Sequence, residues 1–301
     1  MENFTARLRN IQETKFPLVK AAFTGKDGQS YSGIMMIDTG SANCILNKSV
    51  LPYLEDNATI EGEKMNILSI QGKGVECQGV SLSFHIGNGT FSDTFYVNKE
   101  MDFDQMFNSP FIGIIGNKFL MNNNIVLDYK TETLHTSSGT IEGNPEDYAF
   151  LFPMSFGLKQ YSIPVVGLIY GDKEYLLVAD SGANDTVITK HLMDDAGICV
   201  KHLEDDGTIT CFTTETMKTA LYDVPLSLFS LGGTPECPKL YTQNDKVQVI
   251  SNCKHIMEGY KDAEGNDLMP LSGMLSSDFM LRNKWVLDFG TCIMYQPKDV
   301  A

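Results

Sequence analysis

The sequence predicts an all-β protein made of two similar β-barrel lobes related by a pseudo-two-fold axis, with a few short helices. Three observations predict it. The 301 residues suffice for two domains of ordinary size, and a hydrophobic fraction of 43% supplies each with a core. Twenty-six Gly and 11 Pro cut the apolar residues into short runs, the pattern of many strands and few long helices. Finally, the chain writes one arrangement of segments twice, and a repeat on this scale constrains the fold more than any single element does.

The first copy runs KFPLVKAAFTGKDGQSYSGIMMIDTGSANCIL, then GVSLSFHIGNGTFSDTFYV, then GIIGNKFLMNNNIVLDYKTETL. The second runs SIPVVGLIYGDKEYLLVADSGANDTVI, then DVPLSLFSLGG, then GMLSSDFMLRNKWVLDFGTCIMY. Asp38 and Asp180 are 142 residues apart, whereas Gly113 and Gly273, like Asp128 and Asp288, are 160 apart. The second copy therefore carries 18 extra residues between these landmarks, which the turn-rich GGTPECPKLYTQNDK (232–246) places in a longer loop. The polar stretch SSGTIEGNPED (137–147) reads as the link, giving an N-terminal lobe 1–147 and a C-terminal lobe 148–301.

Within each copy the pieces read as strands joined by tight turns. GKDG (25–28) and YGDK (170–173) sit between β-rich runs, and GNG (87–89) is a two-residue hairpin signal between VSLSFHI and FSDTFYV. VSLSF and VPLSLF alternate as half-buried strands do. Two short helices per copy are expected, one starting at Ser49 or Thr189 and the other at Asn117 or Ser277, residue types that cap helices. Trp285, in KWVLDF, is expected in a core strand of the second lobe.

IMMID (34–38) and LLVAD (176–180) each lead an apolar run, buried on both faces of a sheet, to an Asp followed by a hydroxyl residue and Gly. The Gly frees the backbone to turn sharply, so each carboxylate sits in a loop at the end of a core strand. A lone Asp-Thr-Gly would more often be a cap or turn former. Two equivalent halves about an approximate two-fold axis, however, bring equivalent loops together. Carboxylates in contact cannot both ionise cheaply; they share a proton, and one becomes base while the other becomes acid. Such a pair can hold a water, take its proton as it attacks a peptide carbonyl, and donate to the developing oxyanion. The competing reading is a duplicated β scaffold that binds peptide without chemistry, since fold does not fix function.

At these residues the chain resembles the aspartic peptidases, the pepsin and retropepsin group. The resemblance rests on Asp38-Thr39-Gly40-Ser41 and Asp180-Ser181-Gly182-Ala183, each after an apolar strand, and on the downstream Ile114-Ile115-Gly116, which returns as Met274-Leu275-Ser276. It implies a single-chain, two-lobed aspartic endopeptidase with retropepsin-like lobes, catalytic residues Asp38 and Asp180, and an extended protein or peptide substrate bound between the lobes. It also implies that Gly40 and Gly182 orient the carboxylates through backbone groups and that Ser41 hydrogen-bonds its Asp. The Thr39 and Ser181 hydroxyls would reach the backbone of the opposite lobe. With Ala183 at the position of Ser41, the two Asp environments should differ. A pepsin-type flap carries a Tyr, and residues 54–95 contain none. Instead the Gly-rich Ile70-Gln71-Gly72-Lys73-Gly74 is expected at the tip of a substrate-binding flap, nearer the retroviral style; an ordinary hairpin turn is the alternative. The counterpart TCFTTETMKT (210–219) lacks Gly, so one working flap is expected. That segment, Ser276 and the missing flap Tyr are the features that favour a catalytically inactive scaffold.

Charge and composition exclude other classes. A net charge of −15, from 23 basic and 38 acidic residues, disfavours nucleic acid and anionic membrane as partners, because both are held chiefly through Lys and Arg. Five His without zinc spacing and no phosphate-loop Lys give no metal and no nucleotide cofactor. The seven Cys are dispersed and odd in number, which points to reduced thiols. The N-terminus lacks the apolar segment of a secretory signal, so a cytoplasmic monomer is expected if Met1 is the native start.

Overall fold

The computed structural model describes residues 4–68, 74–98, 103, 107, 109–141, 144–198, 200–210, 216–234, 237–261 and 265–298. The first half holds β1 (Thr5–Arg7), α1 (Ile11–Thr14), β2 (Leu18–Thr24), β3 (Ser30–Ile37), β4 (Cys44–Leu46), β5 (Thr59–Leu68), β6 (Gly74–Ile86), β7 (Gly89–Val97), β8 (Phe111–Ile115), α2 (Asn117–Asn122), β9 (Ile125–Asp128) and β10 (Thr133–Thr136). The second holds β11 (Tyr148–Pro153), α3 (Ser155–Tyr161), β12 (Val165–Tyr170), β13 (Lys173–Ala179), β14 (Thr186–Thr189), α4 (Lys190–Ala196), β15 (Lys201–Thr210), β16 (Thr216–Thr234), β17 (Cys237–Ile250), β18 (Leu271–Leu275), α5 (Ser277–Arg282), β19 (Val286–Asp288) and β20 (Ile293–Pro297).

Each lobe is a seven-stranded sheet, and the two sheets share one topology. The order is β2-β3-β8-β4-β7-β6-β5 in the first and β12-β13-β18-β14-β17-β16-β15 in the second. Pairing of Ala21 with Ile86, and of Leu168 with Leu228, curls each sheet back on itself. The curl encloses side chains that a flat sheet would leave exposed. A third sheet, β1-β10-β9-β19-β20-β11, joins the lobes. At its centre β9 and β19 run antiparallel with Leu127 opposite Leu287, residues that correspond in the two copies, so the pseudo-two-fold axis passes through this pair.

The apolar runs explain where the core lies. Ile34, Met35, Met36 and Ile37 are all buried, as a central strand covered on both faces requires. Phe84, Phe91, Phe95 and Phe119 form an aromatic cluster in the first lobe. In the second, Trp285 is fully buried and stacks on Phe150 with ring centroids 4.4 Å apart. It stands just before β19 rather than within a strand.

Several local expectations need correction. The 232–246 stretch is largely strand: β16 and β17 form a hairpin of 19 and 14 residues, against 13 and 9 for β6 and β7. The extra length lies in these longer strands and in 251–270, which replaces 98–110. Polar turn residues tolerate strand geometry when both backbone edges of a ribbon find partners, which here runs as far as Thr234 opposite Cys237. Ser49 opens no α-helix. Residues Lys48–Tyr53 form a 3-10 helix with Pro52 inside, a residue whose missing N–H opposes the α-helical ladder. Thr189 does cap α4, accepting Leu192 N–H at 3.2 Å. Asn117 and Ser277 are the first helical residues, and the caps are Gly116 and Ser276. The helices α1 and α3, which precede β2 and β12, have no cap side chain to reveal them.

Candidate active site

The ends of β3 and β13 run in parallel with β8 and β18 respectively, and the Asp that follows each strand meets its counterpart at the pseudo-two-fold axis. Asp38 N–H donates to Ile115 O at 3.0 Å and Asp180 N–H to Leu275 O at 2.9 Å, so both loops leave their strands by the same route. Each carboxyl packs against the glycine of the opposite loop, close enough for the two acids to act on each other's ionisation. Both residues are half-buried.

Hydroxyls from the two motifs cross between the lobes. Thr39 Oγ1 donates to Ala179 O at 2.6 Å and accepts Ser181 N–H at 2.8 Å; Ser181 Oγ donates to Ile37 O at 2.7 Å and accepts Thr39 N–H at 2.9 Å. Thr39 and Ser181 have no exposed surface. Away from water, the four reciprocal bonds satisfy Thr39 N–H, Ser181 N–H, Ile37 O and Ala179 O, and they hold the two loops in register.

Gly40 N–H donates to Asp38 Oδ1 at 2.9 Å, and Gly182 N–H to Asp180 Oδ1 at 2.8 Å. A methyl group on Gly40 would lie 2.6 Å from Asp180 Cγ, and one on Gly182 would lie 2.5 Å from Asp38 Cγ. Close approach of the opposite acid therefore requires glycine at both positions. The Ser41 hydroxyl does not reach its Asp: it donates to Asn43 O at 2.8 Å. The Ser41 N–H donates to the Asp38 backbone carbonyl at 3.2 Å and the Ala183 N–H to that of Asp180 at 3.3 Å, so both loops close the same turn. With the Ser41 hydroxyl turned to Asn43 O, the Ser-to-Ala difference makes no direct side-chain contact with either carboxyl.

Burial is the main influence raising both carboxyls above the ordinary aspartate value, and for Asp38 the neighbouring Asp180 charge adds to it. Asp38 is raised well above; Asp180 is held back by donors, the N–H groups of Gly182, Ala183 and Gly40 together with Asp38 itself. Two buried carboxyls this close cannot both carry charge cheaply, so the pair holds one proton between them.

Residues that the sequence reading treated only as caps or core lie directly beneath. Asn117 Nδ2 donates to Thr39 O at 2.8 Å and Ser41 O at 2.9 Å, fixing the first loop. Ser277 occupies the matching place in the second lobe and lies 2.8 Å from the phenol of Tyr129. Their 160-residue spacing is the signal in the sequence that could have found them. Ser276, at the position of Gly116, accepts Phe279 N–H at 3.1 Å and so caps α5. In the first lobe that space belongs to Asn43 O, only 2.5 Å from where a Gly116 Cβ would be. The departure from glycine is a local exchange of packing for a cap and leaves the dyad loop intact.

Of the flap candidates, Gly74 begins β6 and pairs with Leu68 of β5. Ile70, Gln71, Gly72 and Lys73 lie outside the described residues. The hairpin is tied to the first dyad loop where Asn43 Nδ2 donates to Met65 Sδ at 3.1 Å. A concavity of about 550 Å³ lined by Arg7, Arg9, Lys20 and Glu132 lies elsewhere, on the outer face of the first lobe. No cluster of three metal-ligating side chains occurs among the described residues.

Comparison with solved structures gives the same architecture. The chain is similar to the crystal structure of an aspartic proteinase from Irpex lacteus, with a TM-score of 0.53 over 98% of this chain and 97% of that one, at 13% identity. The fold is that of an aspartic proteinase. At this identity the likeness speaks for the fold alone. No family model matches the sequence, and no curated protein matches it.

Proposed function

We propose that the chain is an aspartic endopeptidase that hydrolyses an extended peptide with Asp38 and Asp180 and a water held between them. The observation that supports this most is the close approach of two carboxyls from duplicated loops, both raised by burial above the ordinary aspartate value. The ionised carboxyl of the pair takes a proton from the water as the oxygen attacks the peptide carbonyl, and the protonated one gives its proton to the carbonyl oxygen. The Gly40 and Gly182 N–H groups hold the carboxyls in the plane this exchange needs. The attacking group is water and the acid and base are side chains, so the reaction calls for no metal or organic cofactor. The hairpin of β5 and β6 serves as the flap over the substrate, excluding bulk water as a closing loop does. A cytoplasmic monomer acting on protein substrates is the setting this reading favours.

The test is cleavage of a peptide library by the purified chain and by Asp38→Asn. Native cleavage is expected, with a loss of at least about a thousandfold in the variant while its circular dichroism is unchanged. Activity that survives the substitution overturns the mechanism. Binding of a pepstatin-like transition-state mimic separates the enzyme from a peptide-binding scaffold: a competent dyad prefers it over a simple peptide by about a hundredfold or more, and a passive groove has no such preference.

A further inference from the structure

The peptide unit between Thr39 and Gly40 is held at both ends. Its N–H donates to Asp38 Oδ1 at 2.9 Å, and its carbonyl accepts Asn117 Nδ2 at 2.8 Å. Both bonds fall on one planar amide, so the Asn117 side chain sets the plane in which the N–H meets the acid. A donor to the carbonyl also polarises the amide and strengthens the bond its N–H makes. Asn117 Nδ2 faces two more carbonyls, Ser41 O at 2.9 Å and Ser162 O of the second lobe at 3.2 Å. The residue has no exposed surface. Such an amide cannot turn over, because its oxygen would then meet three carbonyl oxygens.

The second copy repeats the backbone of this arrangement and not the side chain. Gly182 N–H donates to Asp180 Oδ1 at 2.8 Å, and Ser277 N–H donates to Ala183 O at 2.9 Å, as Asn117 N–H does to Ser41 O. The Ser277 hydroxyl, however, lies against Tyr129 Oη at 2.8 Å rather than against Ser181 O. The link between lobes differs too. Lys15 stands two residues before Pro17, as Ser162 does before Pro164, and it reaches the start of α5 by an ion pair, Nζ to Asp278 Oδ1 at 3.4 Å.

We propose that Asn117 is a positioning residue for Asp38: through the Thr39–Gly40 peptide it fixes the N–H that holds this carboxyl, and it does so on one side of the pair only. The inference rests on the dyad reading above and deepens it. Because the same amide reaches Ser162 O, the donor to Asp38 is anchored from both lobes. A reacting carboxyl gains from such anchoring, since small errors of orientation cost rate steeply.

The experiment is Asn117→Ser, which gives the first copy the residue of the second. The readouts are amide hydrogen exchange and 1H–15N spectra of Gly-labelled chain, with kcat and KM on a cleaved peptide. In the native chain Gly40 N–H should exchange about tenfold more slowly than Gly182 N–H. In the variant Gly40 exchange should quicken by about tenfold and its proton signal move upfield, as that of a weakened hydrogen bond does, with Gly182 unchanged. Turnover should fall roughly tenfold with KM within about twofold. Ser276→Ala, which loosens the start of α5 alone, should leave Gly40 as in the native chain. Unchanged Gly40 exchange in Asn117→Ser overturns the proposal, and so does equal quickening of Gly40 and Gly182, the mark of a merely structural role. An undiminished kcat overturns it as well. If Asn117→Ser does not fold, the native comparison decides, and a Gly40 N–H no better protected than that of Gly182 overturns it. A native chain that cleaves nothing, yet in which Gly40 alone responds to Asn117→Ser, defeats the endopeptidase reading and leaves the positioning role standing.

Discussion

Thr39 shows how much one hydroxyl can carry. Its oxygen donates to Ala179 O and accepts Ser181 N–H, both in the opposite lobe and all without solvent. Thr39→Val keeps the shape and strands both backbone groups. The expected cost is about 2–6 kcal/mol, at about 1–3 for each of the two unsatisfied groups. Thr39→Ser keeps the hydroxyl and should restore most of it; urea denaturation of the three chains measures the difference. Asp128 and Asp288 make the opposite point. They too are a duplicated pair, yet Asp128 Oδ1 accepts Lys130 and Thr131 N–H, and Asp288 Oδ1 accepts Gly290 and Thr291 N–H. Duplication of a carboxylate therefore marks symmetry, and only its surroundings separate a turn former from an acid with a proton to share.

At the level of elements, α2 and α5 use different solutions for one task. Gly116 admits Asn43 O against the backbone, and Ser276 supplies a cap hydroxyl to Phe279 N–H. Ser276→Ala should cost about 1 kcal/mol, the usual worth of a cap, and spare activity. Gly116→Ala forces a Cβ to within 2.5 Å of a backbone carbonyl next to the first dyad loop. It should cost about 1–3 kcal/mol and lower activity as well, because the carbonyl cannot move without its loop. Thermal melts together with a cleavage assay check both. The strands β16 and β17 carry a related lesson: their Gly and Pro residues advertised a loop, while ladder pairing along the ribbon decided for strand.

For the whole molecule, holding two acids together at the junction of the lobes has a cost that depends on pH. The unfolded chain releases the Asp38 proton near the ordinary value of 3.8, and the folded chain keeps it to higher pH. The folded state thus binds more protons above that value, so the pair lowers stability as pH rises through the window between the two. Asp180 is raised as well and acts in the same direction. Asp38→Asn removes much of this penalty. Its Tm should exceed the native one at about pH 7 by a few degrees, at roughly 2 °C per kcal/mol for a chain this long, and the gap should close toward about pH 4. Calorimetry at both values checks the sign. A native chain that melts higher near neutrality than its Asn variant would show that the two carboxyls do not repel.

By itself the sequence determined the β class, the two copies and the central pair of Asp motifs. Each is written in short-range pattern: apolar runs broken by Gly and Pro, and the same run ending in Asp-hydroxyl-Gly twice. Only tertiary structure decided what those motifs do to one another. The exchange between Thr39 and Ser181, the turn of the Ser41 hydroxyl to Asn43, and the contact of the Tyr129 phenol with Ser277 all join residues more than a hundred positions apart or depend on a loop's detailed course. Local propensity carries no information about such contacts, because their energy appears only when burial has removed water from both partners.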